Sequence, residues 1–418
     1  MIIAKICAMR KKVYMTAGYN TISLGTGRSE FNPKKERPGI EHYILEAGKT
    51  TLEKIGGGIN VDEMVIGNFL ASRFNNQAHL AAMLPAINKN LKYKPAIRVE
   101  GACASGGLAL ITGIKSILAE TADVVLALGV EVQNSVKAVY GADYLALAGW
   151  YNKRKQGHAY FFPGEFNARA KAYAQKYGND YTRKGMAQWY VNAIENARLC
   201  QTAQEYENKK EDLMDYTMTP PNGKVFVDTM NVFDCSKVSD GASAIAIVSE
   251  KGLNKIGLSK RDVVEIIGFG QVEDNLMEEP KSQTKLSTTE IAVNNALFMA
   301  GISRKQLATV EAHDCFTIAG ILATEAIGFS EPGKGAAFVA EGNTSRQGTI
   351  PFNTTGGLIG WGHPTGATGV HQAVTIWEQL TGKAGKAQIN IPDDKPYGMS
   401  INMGGNDKTV VSIVYKKC

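Results

Sequence analysis

The stretch Ala96-Ile-Arg-Val-Glu-Gly-Ala-Cys103-Ala-Ser-Gly-Gly, running on to Leu118, decides how the chain is read. It starts as an extended apolar segment and breaks at Glu100-Gly101-Ala102-Cys103. It then resumes with Leu108, Ile111, Ile114, Ile117 and Leu118 at helical spacing. A strand therefore delivers Cys103 to an elbow, and the following helix aims its unpaired N-terminal N–H groups at it. The helix dipole favours a thiolate there, and such positions lower a cysteine pKa from about 8.5 to roughly 3.5–7.5. Gly101, Gly106 and Gly107 let the backbone come close to a substrate. Free cysteine is also among the most buried residue types, so the stretch alone supports a structural cysteine as well as a nucleophile.

Outward from the elbow, the chain reads as repeated α/β structure. A short β-rich segment after Lys12 leads into a Gly/Ser/Pro loop. An amphipathic helix over residues 40–55 follows, with Ile44, Ala47, Thr51 and Ile55 on one face, and Gly56-Gly57-Gly58 ends it. A strand at 64–66, a helix at 80–91 and a fully buried strand at 122–128 complete βαβαβ order. Residues 133–233 lose the β pattern and turn aromatic and basic, which predicts a mostly helical insertion. Sheet chemistry returns at Cys235-Ser-Lys-Val-Ser-Asp-Gly and the strand 242–248. A helix at 287–302 and a strand at 307–312 then repeat the first half, and strands 242–248 and 410–415 close the two copies. Such an internal duplication predicts two similar α/β layers packed face to face, with helices on both sides of the strands. The expected division is 12–132 for the first half, 133–234 for the insertion, 235–265 for the return to the first half and 266–418 for the second half.

The composition excludes several classes. The 418 residues are 44% hydrophobic and 21% charged, with 44 glycines, a pattern of packed globular domains rather than of low-complexity chain. The net charge of +6 is spread along the chain, which argues against nucleic acid as a partner and suits a polyanionic small molecule. Six cysteines (Cys7, Cys103, Cys200, Cys235, Cys315 and Cys418) are scattered without a C-x-x-C pair, so neither a metal site nor a disulfide scaffold is expected. No apolar run reaches the roughly 18 residues of a membrane span. The basic leader, with Lys5, Arg10, Lys11 and Lys12, is similar to an organellar transit sequence. It predicts a mitochondrial protein, with a peroxisome-like organelle or the cytoplasm as alternatives.

Three further elbows carry reactive side chains. The strand 307–312 runs into His313-Asp314-Cys315-Phe316, with a helix directly after it. The run Gly362-His363-Pro364-Thr365-Gly366-Ala367-Thr368-Gly369 places Pro364 at a helix start. The turn Asn402-Met403-Gly404-Gly405 precedes the last strand. Ligands of open α/β sheets gather where strands end and helices begin, so one site can collect all four elbows. His42, His79, His158 and His371, and Cys7, Cys200, Cys235 and Cys418, lack such a setting and read as structural or exposed. The chemistry suited to the cluster is acyl transfer through a covalent thioester. Cys103 supplies a nucleophile, His363 its base, Cys315 a proton-transfer group for the carbon next to a thioester, and His313 a neutral donor. Backbone N–H groups at Cys103 and Gly404 complete the oxyanion sites.

These motifs resemble the thiolases, in particular the sterol-carrier-protein type and its bacterial and archaeal relatives. The resemblance rests on Glu-Gly-Ala-Cys103-Ala-Ser-Gly-Gly, His313-Asp-Cys315-Phe, Gly362-His363-Pro-Thr-Gly-Ala-Thr-Gly and Asn402-Met-Gly404-Gly. It implies an α/β thiolase fold, a duplicated five-layer αβαβα arrangement with an inserted loop domain, and, by likeness alone, roles for three residues: Cys103 as the acylated residue, His363 as its base and Cys315 as the α-carbon acid/base. His313 stands where other thiolases have asparagine. It further implies an acyl-CoA C-acyltransferase that cleaves 3-ketoacyl-CoA with CoA or runs the reverse condensation. CoA and acyl-CoA are then substrates rather than bound cofactors, and a homodimer is the expected assembly. Most thiolases place a second cysteine where this chain has Asn402; the sterol-carrier-protein type also lacks it and uses the cysteine that corresponds to Cys315. Cationic and aromatic side chains of the insertion, from Lys153 to Lys184, are expected to grip CoA. The competing readings are a β-ketoacyl synthase, which Cys315 argues against, and a catalytically weak CoA-binding relative.

Overall fold

The computed structural model describes residues 11–154 and 160–418; Lys5, Cys7 and Arg10 of the leader, and Lys155 and His158 of the insertion, lie outside them. The strands are β1 (Val13–Asn20), β2 (Glu63–Gly67), β3 (Ala96–Val99), β4 (Val124–Val132), β5 (Asp240–Ser249), β6 (Val263–Glu273), β7 (Leu307–Glu311), β8 (Tyr397–Gly404) and β9 (Thr409–Lys417). They hydrogen-bond in the order β3-β2-β4-β5-β1-β6-β9-β8-β7. The pairs β2–β3, β2–β4 and β7–β8 are parallel and the rest antiparallel.

The duplication shows in the element order. β1, the helix Ile40–Lys54, β2, β3, the helix Ser105–Leu118, β4 and β5 answer to β6, the helix Ser287–Ala300, β7, the helix Thr368–Thr381, β8 and β9. In the second copy a single bridge, Val310 to Phe352, stands where β3 stands in the first. The halves are not two separate sheets, because β1 and β6 pair from Val13↔Ile266 to Thr16↔Val263 and carry the hydrogen bonding across.

Alternation along the strands creates the layers. In β4, Leu126, Leu128 and Val130 pack with Tyr43, Ile44 and Ala47 of the Ile40–Lys54 helix, while Val125 and Ala127 turn the other way. There they meet Leu110, Ile111 and Ile114 and also Val370, Ala373 and Val374, so the helices Ser105–Leu118 and Thr368–Thr381 form a shared middle layer. The second half faces that layer through Val411, Ile413 and Tyr415 of β9. Its other side, with Met399, Ile401 and Met403 of β8, is covered by the helices Ser287–Ala300 and Thr317–Ile327. Strands buried on both faces read as continuous apolar runs for this reason.

Three expectations change. The helix expected at 80–91 is two short 3₁₀ segments, Leu80–Ala86 and Lys89–Leu91, because Pro85 inside the run removes an N–H donor. The strand expected at 122–128 reaches Val132 and so includes the buried Glu131. The helix after Pro364 begins four residues later, at Thr368, with Ala367 N–H closing a turn onto the Pro364 carbonyl. The insertion is helical as expected, but its helices Phe161–Tyr177 and Asn179–Ala197 are part of the second half's core: Phe166, Ala170, Tyr173, Met186 and Trp189 pack with Phe316, Ile318 and Ile321. Among the described residues, no helix is long and apolar enough to cross a membrane.

Candidate active site

The Cys103 elbow is tied by Ser105, whose Oγ accepts the Gly101 N–H at 3.0 Å and donates to the Ala102 carbonyl at 2.6 Å. Ala102 is thereby held at φ +53°, a left-handed conformation that costs energy outside glycine and turns the chain sharply before the helix. His313 and Cys315 leave the end of β7. Asp314 between them accepts from Trp189 Nε1 at 2.9 Å and from the Leu358 N–H at 2.7 Å, so it anchors the motif and faces away from the reacting groups. The Cys315 carbonyl accepts the Ser236 N–H at 2.9 Å, and Phe316 stacks on Phe166 with ring centroids 4.3 Å apart.

His363 lies on a glycine-rich loop clamped from below. Its N–H donates to Ser239 Oγ at 2.9 Å. Two residues on, Thr365 Oγ1 and the Gly366 N–H both donate to Glu131 Oε2, at 3.0 and 3.1 Å. Glu131 also accepts from Asn68 Nδ2 and from the Phe69 and Leu70 N–H groups. A buried acid with this many donors is a structural clasp between β4 and the loop.

These elbows converge. Cys103 Sγ and one ring nitrogen each of His313 and His363 lie within 4.8 Å of one another, and the two rings meet edge to face at 5.1 Å. Cys103, His313, Cys315 and His363 line one cavity of about 420 Å³. Its walls are mostly apolar, with Phe161, Phe162, Phe166, Phe226 and Val232 from the insertion. Cys235, read from sequence as structural, lines the same cavity.

Hydrogen bonds define what each histidine offers. The Thr368 hydroxyl donates to the Pro364 carbonyl at 3.2 Å, so it accepts from His363 Nδ1–H at 2.7 Å. The proton of His363 is then on Nδ1 and its Nε2 lone pair is free, the arrangement of a base. Burial holds its pKa at about 3, and burial with the neighbouring His363 holds that of His313 well below the usual value, so both rings are neutral. The thiolate expected at Cys103 is not the resting state. Burial and the Glu131 carboxylate push the thiol up to about 12, against the opposing N–H groups of Gly405 and of Cys103 itself. The dipole loses because Cys103 precedes the first helical residue, Ser105, by two positions, whereas desolvation acts on the sulfur directly. Burial, with Cys103 nearby, also raises Cys315 well above the ordinary thiol value.

The amide that meets the Cys103 sulfur is that of Gly405, one residue beyond the expected Gly404. Gly404 has a steric part: a Cβ there would stand 2.2 Å from the Gly101 carbonyl oxygen, inside the elbow. Sequence reasoning missed Glu131, Thr368 and Gly405. Only Glu131 left a signal, as the one acid within the apolar run Val124–Val132. Among the described residues, no cation between Lys153 and Lys184 lines this cavity. Lys153 pairs with Glu165 and Glu279, Lys171 with Asp228 and Arg183 with Asp234, while Arg169 is fully buried. Among the described residues, the one lysine of the lining is Lys237, and it pairs with Glu205.

With this geometry in place, comparison with known proteins is direct. The thiolase N-terminal domain family matches residues 42–251 and the thiolase C-terminal domain-like family matches residues 270–417. An acetyl-CoA acetyltransferase of Methanothermobacter thermautotrophicus is 34% identical over 380 residues, covering 90% of this chain and 94% of that protein. Human sterol carrier protein 2 is 29% identical over 76% of this chain, which spans 58% of that longer protein. Among solved structures, human mitochondrial 3-ketoacyl-CoA thiolase in complex with CoA superposes with a TM-score of 0.71 at 18% identity, over 99% of both chains. The chain belongs to the thiolase family.

Proposed function

We propose that this acyltransferase cleaves 3-ketoacyl-CoA with CoA, or joins two acyl-CoA units in reverse, with Cys103 as the residue acylated. The convergence of Cys103, His363, His313 and Cys315 on one apolar cavity carries the reading. In thiolysis, Cys103 Sγ attacks the 3-keto carbon while His363 Nε2 takes the thiol proton. The C2–C3 bond then breaks, and its electron pair passes to the enolate of the departing acyl-CoA, whose thioester oxygen His313 holds. The Cys315 thiol gives its proton to C2. A CoA thiol, giving its proton to the Cys315 thiolate, next attacks the acyl carbon on Cys103. The C–S bond to Cys103 breaks, acyl-CoA leaves, and Cys103 recovers its proton from His363, with the N–H groups of Cys103 and Gly405 holding the oxyanion at the tetrahedral carbon bonded to the Cys103 sulfur in both steps. The cavity's apolar wall suits an acyl chain.

Two further points belong to the proposal. β3 is one of the sheet's two edge strands, with Ile97 exposed, which supports a homodimer formed across that edge; light scattering at micromolar concentration tests it. The basic leader supports a mitochondrial location, which imaging of the tagged full chain tests. For the reaction, thiolysis is measured on acetoacetyl-CoA and on longer 3-ketoacyl-CoAs. Turnover with release of a shortened acyl-CoA is expected. CoA binding without turnover at any chain length would favour the catalytically weak relative.

A further inference from the structure

Asn402 lies beneath the site, 2% exposed, with its whole amide committed. Its Oδ1 accepts the Gly107 N–H at 2.9 Å, and its Nδ2 donates to the Cys103 carbonyl at 3.0 Å. The same Nδ2 lies 3.2 Å from His313 Nδ1. The amide has one workable orientation. Turned by 180°, it would set N–H against the Gly107 N–H and oxygen against the Cys103 carbonyl, leaving two buried groups unpaired at a cost of roughly 1–3 kcal/mol each. The group that meets His313 is therefore a donor, and the ring nitrogen that meets it must be an unprotonated acceptor.

We propose that Asn402 is a positioning residue that fixes His313 as the Nε2–H tautomer, so that this ring presents a proton to the substrate's thioester oxygen while His363 presents a lone pair to Cys103. The second half of this statement rests on the thiolase reading above; the tautomer itself does not. Two similar imidazoles 5.1 Å apart thus acquire opposite functions from two neighbours, Thr368 on one and Asn402 on the other. The Asn402 donor also disfavours a metal here. Cys103, His313 and His363 have the spacing of a ligand set, yet a metal at His313 Nε2 would need the ring proton on Nδ1, where the Asn402 donor stands.

The test separates tautomer from catalysis. The full chain is labelled with ¹⁵N-histidine, and the His313 resonances among its six histidines are assigned by their loss in His313→Gln. In the unsubstituted chain, Nε2 should carry the proton and Nδ1 should not. Asn402→Asp keeps the Gly107 contact and, as a protonated acid whose O–H goes to the Cys103 carbonyl, presents only a lone pair to His313, so Nδ1 should become protonated. Its thiolysis kcat should then fall by about 10²–10³-fold, the usual effect of losing one oxyanion donor. Acylation of Cys103 by a saturated acyl-CoA, which forms no enolate, should fall less than tenfold. A proton on Nδ1 of the unsubstituted chain overturns the inference whether or not the variant folds. Equal losses in both steps with an unchanged tautomer also overturn it, since that is what a purely structural role gives. An unsubstituted chain that shows the Nε2–H tautomer but cleaves no 3-ketoacyl-CoA would instead overturn the thiolase reading and leave the tautomer standing.

Discussion

Cys103 and His363 rest as an uncharged thiol and an uncharged imidazole, and this sets the site apart from a cysteine that is reactive before substrate arrives. With the thiol pushed up to about 12 and the imidazole down to about 3, a thiolate forms only as the proton moves to His363 during attack. Alkylation of the free enzyme by iodoacetamide should therefore be slow at pH 7.5 and should keep rising past pH 9 without a plateau. A plateau near pH 7, followed by peptide mass spectrometry, would reveal a preformed thiolate. His363→Ala should slow acylation of Cys103 by about 10²–10⁴-fold, the range for loss of a general base. In the proposed reaction Cys315 works at a different atom. Cys315→Ala should abolish C–C cleavage and condensation while leaving some acyl-Cys103 formation from a simple acyl-CoA, and Cys103→Ala should remove both. Near-normal thiolysis by Cys315→Ala would require another base at the α-carbon.

Among the elements, the two middle-layer helices matter most, because their N-termini carry the Cys103 and His363 elbows. They meet through glycine. A Cβ on Gly106 would stand 2.8 Å from the Gly369 nitrogen, and one on Gly369 would stand 2.2 Å from the Gly107 nitrogen and 2.3 Å from Asn402 Oδ1. The backbones are as close as they are because neither helix has a side chain at the crossing. Gly369→Ala must therefore shift one helix start against the other, and a loss of about 1–3 kcal/mol by urea titration is expected from overpacking. Activity should fall further than the folded fraction does, since the shift falls on Asn402 and the Cys103 elbow. A second coupling runs through the Phe166–Phe316 stack, by which the inserted helix Phe161–Tyr177 bears on the Cys315 motif.

For the molecule as a whole, buried titratable groups tie stability to pH. Burial, with the Asp314 charge added, raises Glu311 to about 8; burial raises Asp314 to about 7. A carboxyl raised in the folded state contributes stability that is fully present below its unfolded pKa of 4.5 and is lost as pH rises through 8. His363 and His371, lowered to about 3, act in the opposite sense, with stability present above 6.5 and lost as pH falls. Glu311→Gln keeps an acceptor for the Thr354 N–H, which bonds Glu311 Oε1 at 2.9 Å, and removes the ionisation. Its thermal midpoint should gain on the parent's between pH 6 and pH 9, by an amount equivalent to about 1–3 kcal/mol. A gap that stays constant over this range would show that Glu311 is already ionised in the folded chain at pH 6, its pKa not raised.

The amino-acid sequence by itself determined the duplication, the strand–elbow–helix units and the four reactive side chains. Each of these depends on local pattern: apolar periodicity, glycine at turns, and a reactive residue placed where a strand ends. Tertiary structure decided the charge state and orientation of those side chains, which depend on neighbours remote in the chain. Asn402 meets the Cys103 carbonyl across 299 positions, and Glu131 reaches the His363 loop across 234. Local reading of Cys103 saw a helix N-terminus and expected a thiolate. Desolvation by the folded core, a property of packing that no short window contains, reversed the sign of that shift. Lys153, Lys171 and Arg183 of the insertion likewise meet acids that no short window shows: Glu165 and Glu279, Asp228, and Asp234. Motif order was enough to say which side chains meet in one cavity; only packing could say where each proton sits.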